Sequence, residues 1–170
     1  MNTDKLTQQF YKKYKTLCSS MKNSLDEITQ KEENVKNEFH KKNITTDDFA
    51  QKTFNQIVCI KFLQTKKWFG GSENFLNELF DAKYGKYDNF FNDMLEPLFY
   101  EAINVRRPDS YYKKFDCKIV CFDKTNLFTP LNHYDWKSID ILLPNELFSN
   151  NKDGILDTFN EYNFTFKKSA

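Results

Sequence analysis

The chain has 170 residues, enough for one domain with a real core and too few for two large ones. Its 25 basic and 24 acidic side chains give a net charge of +1. A protein that holds a DNA duplex alone is usually more basic, because affinity for DNA grows with the number of phosphates neutralised. The charge balance therefore predicts that any nucleic-acid contact is local or shared with other domains.

The first quarter of the chain predicts one long helix over residues 1–43. Apolar side chains recur at alternating steps of three and four from Tyr11 to Phe39, with an interruption at Glu32. This spacing is typical of a dimeric coiled coil and of an amphipathic helix that packs on its own domain. Phe10 and Leu17 widen the apolar face beyond a narrow seam, which favours the second alternative.

Two further helices are predicted in the first part of a helical core, residues 44–107. One begins near Thr46, with Thr45 or Thr46 as its N-cap. It is apolar nearly all round, so we expect it at the centre of the fold, and it ends before Gly70–Gly71. A short helix follows from Ser72 through Phe80.

The strongest helical pattern lies between Tyr87 and Ile103, where paired apolar residues recur every four positions. Leu98 and Phe99 belong to these pairs and are expected to be buried. Pro97 lies inside the pattern and removes a backbone hydrogen bond. The helix is therefore expected either to kink at Pro97 or to restart with Pro97 in a first turn.

Residues 108–170 predict mixed structure that completes one mainly α-helical domain. The expected fold is a multi-helix bundle over residues 1–170, with a long N-terminal helix and short β elements in the C-terminal third. The expected elements of that third are a strand at Lys118–Phe122, a loop at Asp123–Asp140, an extended stretch at Ile141–Leu143 and a helix at Asp153–Asn163.

The chain lacks the motifs of a complete catalytic site. It has no glycine-rich cofactor turn and no Asn-Pro-Pro-aromatic loop of the kind that grips a flipped base. Asp109 and the run Asp116-Cys117-Lys118 resemble a nuclease metal site, but their separation is short for that pattern. His40 and His133 are not arranged for nucleophilic catalysis. We therefore predict no catalytic residue, no metal and no cofactor in this chain.

The compartment is predicted to be the cytoplasm. The start, Met1–Lys5, leads into a polar segment rather than a signal sequence, and no apolar run reaches membrane-spanning length. Cys117 and Cys121 are four residues apart, but no second cysteine or histidine pair completes a zinc site. Cysteines in the reducing cytoplasm are expected to be free thiols, and no membrane partner is expected.

One cluster combines basic and aromatic side chains. Arginine forks and lysines suit phosphates, and tyrosines can stack on bases or donate to phosphates. The alternative is a solvated loop after a helix C-terminus, where cations are favoured in any case. The candidate DNA-contacting residues are Arg106, Arg107, Tyr111, Tyr112, Lys113 and Lys114.

A series of short segments runs in order along nearly the whole chain. The segments are Leu6–Tyr14, Phe62–Trp68, Glu96–Asn104, Asn126–Phe128, Tyr134–Trp136, Ile139–Ile141, Pro144–Phe148, Gly154–Asp157, Phe159–Asn160 and Tyr162–Thr165. Together they resemble the helical connector region of type IIG restriction–modification enzymes, single chains that combine an endonuclease with an adenine-specific DNA methyltransferase.

The resemblance implies a non-catalytic scaffold that positions the two catalytic domains on DNA. Its partners would be DNA and the nuclease and methyltransferase domains, and S-adenosylmethionine and Mg²⁺ would belong to those domains. It also implies a fragment, a split-gene product or a relic. The chain departs from the family at Phe122–Thr129, where two glycines are missing and the loop loses conformational freedom. The alternative is a stand-alone DNA- or protein-binding protein of a restriction or phage-defence locus.

Overall fold

The structure, a computed structural model, describes residues 3–122 and 125–162. These residues form a mainly helical fold with a long N-terminal helix and short strands in the C-terminal third, as predicted. The α-helices are α1 (Thr3–Lys31), α2 (Glu33–Lys41), α3 (Thr46–Leu63), α4 (Phe75–Phe80), α5 (Asn145–Phe148) and α6 (Ile155–Tyr162). Two π-helical stretches, Phe91–Leu95 and Leu98–Ile103, belong to one helical run over residues 90–103, here called the central helix.

The predicted helix over residues 1–43 is two helices in the structure. Glu32 has an extended backbone (φ −105°, ψ 103°) and separates α1 from α2. The break lets both helices direct apolar side chains into one core. Those buried side chains are Leu17, Met21 and Leu25 on α1 and Val35 and Phe39 on α2. Tyr11, which the spacing placed on the apolar face, is 56% exposed.

Helix α3 begins where its capping chemistry predicts. The Thr45 hydroxyl accepts a hydrogen bond from the Asp48 N–H at 3.0 Å, which satisfies one of the free donors of the first turn. The helix packs along α1 and buries Phe49, Phe54 and Ile57 among others. The sequence predicted a helix buried nearly all round at the centre of the fold. In the structure α3 is not buried on every side, because Phe62 is 41% exposed.

The central helix starts later than predicted because a local cap fixes its first residue. The Asn89 side-chain oxygen accepts from the Asn92 N–H at 2.8 Å, and Asp93 Oδ2 accepts from the Asn89 N–H at 2.9 Å. This reciprocal capping leaves Tyr87 outside the helix. Leu98 and Phe99 are both fully buried, which confirms the predicted apolar face.

Pro97 lies between the two π-helical stretches and does not end the central helix. Its backbone remains helical (φ −61°, ψ −37°), and the Glu96 N–H donates to the Phe91 carbonyl five residues back. A proline in an α-helix clashes with the carbonyl four residues earlier. The wider π-helical turn relieves that clash, so the chain stays helical through the proline.

After the central helix the chain forms a small hairpin. Strand β1 (Tyr111–Tyr112) pairs antiparallel with β2 (Cys117–Lys118), and Tyr111 lies opposite Lys118. The predicted strand Lys118–Phe122 is shorter than expected, because beyond Lys118 only Ile119 forms a β-bridge, to Phe69. Strand β1 was not predicted, since two residues are too few to show an alternating pattern.

The rest of the C-terminal third packs by turns and short helices. Ile141 and Leu143 are buried and Leu142 is 54% exposed, which is an extended alternation, although no strand forms there. Helix α6 lies within the predicted helix Asp153–Asn163, of which Asn163 lies outside the described residues, as do Asp123 and Lys124 of the predicted loop. None of the helices in the described ranges combines the length and apolarity needed to cross a membrane.

Candidate functional site

An open cleft of about 680 Å³ lies where the end of the central helix meets the hairpin and the segment after Tyr134. Its lining residues are Tyr100, Glu101, Val105, Arg107, Tyr111, Tyr112, Lys113, Lys114, Trp136 and Lys137. Five of the six candidate DNA-contacting residues are therefore brought together in one place. The sixth, Arg106, is exposed but is not among the lining residues.

Arg107 stabilises the backbone that forms this cleft. Its guanidinium donates hydrogen bonds of 2.8–3.2 Å to backbone carbonyls of both the helix end and the hairpin. The accepting residues are Glu101, Ala102, Val105, Ser110, Tyr111 and Ile119. Arg107 thus satisfies the free carbonyls of a helix C-terminus and fixes the hairpin against it. Because the guanidinium N–H groups already donate to these carbonyls, a phosphate could bind Arg107 only by displacing some of them.

Glu101 connects two walls of the cleft. The Tyr112 hydroxyl donates to Glu101 Oε1 at 2.6 Å, and Lys137 Nζ lies 3.8 Å from Glu101 Oε2. Burial raises the pKa of the Tyr112 hydroxyl, and the hydrogen bond and charge of Glu101 raise it further. The Arg107 guanidinium lies 5.3 Å from the centre of the Tyr112 ring. The one carboxylate in the lining is therefore engaged by groups on both sides.

Lys113 and Lys114 are two exposed cations of the cleft, and Lys137 is a third. Lys113 and Lys114 lie in a 3-10 turn between β1 and β2, and none of the salt bridges in the described part of the chain involves either of them. Tyr111 beside them is 40% exposed, and its hydroxyl donates to Asp116. The turn thus presents two lysines and an aromatic ring to solvent at one edge of the cleft.

The lining also includes an aromatic side chain that the sequence did not single out as a site residue. Trp136 is partly exposed, and its ring lies 5.6 Å from the ring of Tyr100. Lys137 Nζ lies 5.7 Å from the Trp136 ring centre. Trp136 lies 18 residues after Lys118, the last residue of the hairpin, so no local pattern connected it with the hairpin.

Behind Tyr100 lies a buried polar network around Glu96. The Tyr134 hydroxyl donates to Glu96 Oε2 at 2.7 Å and lies 3.3 Å from the Tyr100 hydroxyl. Gln56 Nε2 approaches the Tyr100 hydroxyl at 3.4 Å and donates to the Leu127 carbonyl at 2.9 Å. The network joins α3, the central helix and the segment after residue 125.

Glu96 is fully buried, and its Oε1 atom has no hydrogen-bond partner among the described residues. Burial raises the pKa of its carboxyl well above 4.5; the bond from Tyr134 opposes this rise, and the charges of Asp140 and Asp93 add to it. Burial therefore favours the protonated form of Glu96 in the fold. The described residues contain no cluster of three or more potential metal ligands, around Glu96 or elsewhere.

The two aspartates of the nuclease-like pattern precede the strands of the hairpin. Asp109 Oδ1 accepts from the Tyr111 N–H at 3.0 Å, and Asp116 accepts from the Tyr111 hydroxyl. Both carboxylates therefore have a local role in holding the turn around Tyr111. Asp116 also has a left-handed backbone (φ 52°), which the tight turn between the strands requires.

A second, smaller cleft of about 350 Å³ lies at the break between α1 and α2. Its lining mixes acidic, basic and apolar side chains, among them Glu27, Lys31, Glu32, Asp140 and Leu142. This mixture favours no single ligand charge. The first cleft is the better candidate because its cations and aromatic rings suit one class of ligand.

No protein-family model matches the chain, and no curated protein or solved structure is significantly similar to it.

Proposed function

We propose that the chain is a non-catalytic helical scaffold of a DNA restriction–modification protein, which positions nuclease and methyltransferase domains on DNA in the bacterial cytoplasm. The cleft is its local contact with DNA, through Lys113 and Lys114. The observation that carries the proposal is the ordered series of segments that resembles a type IIG connector. Two of those segments, Glu96–Asn104 and Tyr134–Trp136, meet in the fold through the Tyr134–Glu96 hydrogen bond.

The charge of the chain sets the expected strength of this contact. A net charge of +1 and a local contact allow few phosphates to be neutralised, so duplex binding is weak and its dependence on salt is shallow. Tight DNA binding by the complete system would come from its other domains. Mg²⁺ and S-adenosylmethionine would act in those domains as well.

A fluorescence anisotropy titration with a short duplex tests the DNA contact. We expect weak binding at low salt, and changing Lys113 and Lys114 together to Gln should reduce the slope of log affinity against log salt by about 2. Lys12→Gln combined with Lys15→Gln is the matched control, because both lysines are exposed on α1, which contributes no lining residue. Equal loss in both double variants, or tight sequence-specific binding at physiological salt, would contradict the proposal.

The absence of catalysis is tested directly. The purified chain should neither methylate nor cut DNA when S-adenosylmethionine and magnesium are added. Turnover that disappears in Asp109→Asn or Asp116→Asn would show that a nuclease function had been overlooked.

A second candidate is a stand-alone DNA- or protein-binding protein of a restriction or phage-defence locus. It is favoured by the few large apolar side chains exposed in the described ranges, since a connector separated from its neighbours should expose more. The large apolar side chains exposed in the described ranges are Tyr11, Phe62, Val105, Tyr111 and Leu142. A neighbouring reading frame that encodes an Asn-Pro-Pro-Tyr methyltransferase would favour the scaffold, and an isolated gene with its own promoter would favour this candidate.

A further inference from the structure

We infer that the cleft binds single-stranded nucleic acid, with an unpaired base against Trp136 and the adjoining phosphates beside Lys113 and Lys114. This inference rests on the proposed DNA contact and narrows it to one form of the ligand.

The shape of the cleft suits an unpaired nucleotide better than a duplex. It is an open cleft with about 680 Å³ of space, lined by the hairpin and by Trp136. Pockets of several hundred Å³ are of the size that encloses a ligand group. A duplex presents its phosphates on a convex surface, and a base leaves the duplex only at the cost of unstacking and unpairing. A single strand can place a base in the cleft without that cost.

The chemistry of the walls matches that of single-strand binding sites, which combine cations along the backbone with aromatic rings for the bases. Trp136 is partly exposed on one wall, and Tyr111 is 40% exposed on the other. Lys113 and Lys114 lie beside Tyr111 on the same turn. The rings and the cations therefore occur together, whereas a contact with duplex phosphates alone would need only the cations.

The electrostatics of the cleft also permit a nucleotide. Glu101 would repel a phosphate, but its carboxylate is hydrogen-bonded by Tyr112 and lies 3.8 Å from Lys137. Stacking on an aromatic ring contributes on the order of tenfold in affinity per base and does not depend on net charge. A chain with a net charge of +1 can therefore prefer single strands while holding duplexes weakly.

Intrinsic fluorescence can test the position of the base, because the chain has two tryptophans, Trp68 and Trp136. Trp68 is not among the residues that line the cleft. Trp68→Phe leaves Trp136 as the reporter, and Trp136→Phe leaves Trp68. Each protein is titrated with a short oligodeoxythymidylate and with a duplex of equal length at low salt, and anisotropy of the labelled oligonucleotide measures binding in parallel.

We expect saturable quenching by the single strand in Trp68→Phe and no quenching in Trp136→Phe. Affinity for the single strand should exceed that for the duplex by about tenfold and should fall by about tenfold in Trp136→Ala, which removes the aromatic ring. Because the Trp68→Phe protein keeps the cleft intact, its result stands even if either Trp136 variant folds poorly.

Binding of the single strand without quenching of Trp136, or tighter binding of the duplex, would overturn this inference and leave the proposed DNA contact in place. Absence of binding to either nucleic acid at low salt would overturn both. Displacement of the oligonucleotide by polyglutamate with equal affinity would identify the cleft as a site for acidic peptides and would also refute the inference.

Discussion

The buried carboxyl of Glu96 makes a specific prediction about stability and pH. Glu96→Gln keeps the length of the side chain and an acceptor for the Tyr134 hydroxyl, but it removes the group that can ionise. Because burial raises the pKa of Glu96 well above 4.5, the folded protein holds a proton that the unfolded chain loses near that pH. Replacing Glu96 should therefore change how stability varies with pH.

The sign follows from which state holds the proton. Below pH 4.5 both states are protonated, and the contribution of Glu96 to stability is fully present. As pH rises, the unfolded chain ionises first, and the free energy of unfolding falls by about 1.4 kcal/mol per pH unit until the folded pKa is reached. The wild type should therefore lose stability relative to the variant as pH rises above 4.5, for as long as Glu96 stays protonated in the fold.

Urea unfolding followed by tryptophan fluorescence, at several pH values between about 5 and 8, measures this difference. Subtracting the variant from the wild type removes the contributions of all other titrating groups that behave alike in both proteins. Any constant cost of the new amide shifts the difference at every pH equally. A difference that does not change with pH would show that Glu96 is ionised in the fold or is solvated, and the buried network would be misdescribed.

Two further substitutions test the core and the cleft. Phe99→Ala empties a fully buried site and should cost about 3–5 kcal/mol, which lowers the melting temperature by roughly 6–20 °C, whereas Lys113→Ala should change stability by less than about 0.5 kcal/mol. The reverse order in thermal melts would refute the assignment of the central helix. Arg107→Lys loses the planar fork that reaches several carbonyls and should cost on the order of 1–3 kcal/mol in urea unfolding; unchanged stability would show that these bonds are dispensable.

Local chemistry made part of the fold predictable. Helix α3 starts where Thr45 can accept from the Asp48 N–H, because capping depends on neighbouring residues only. The burial of Leu98 and Phe99 followed from their spacing along one helix face. The break at Glu32 was visible as an interruption of the apolar series, but the pattern could not show that the backbone becomes extended there.

Only the hairpin side of the cleft could be predicted from the sequence, because its residues are neighbours along the chain. Lys113, Lys114 and Tyr111 are neighbours in the sequence, so their basic-aromatic character could be seen directly. Trp136 reaches the same cleft through the fold, and its contact with Tyr100 spans 36 residues. The sequence suggested that Arg107 binds phosphate. Its actual partners are backbone carbonyls, and the sequence does not show which carbonyls will face an arginine.

Tyr100 belongs both to the buried network and to the lining of the cleft. This connection can explain why the core contains polar groups here. A buried carboxyl with an unpartnered oxygen stabilises a core less than well-packed apolar side chains would. Its hydrogen bond to Tyr134, however, has a fixed direction and sets the position of the segment that carries Trp136 two residues later. Tyr100 then supports the Trp136 ring from inside the fold. A ring held in place before binding loses little freedom when a base stacks on it, so the network favours affinity at some cost in stability.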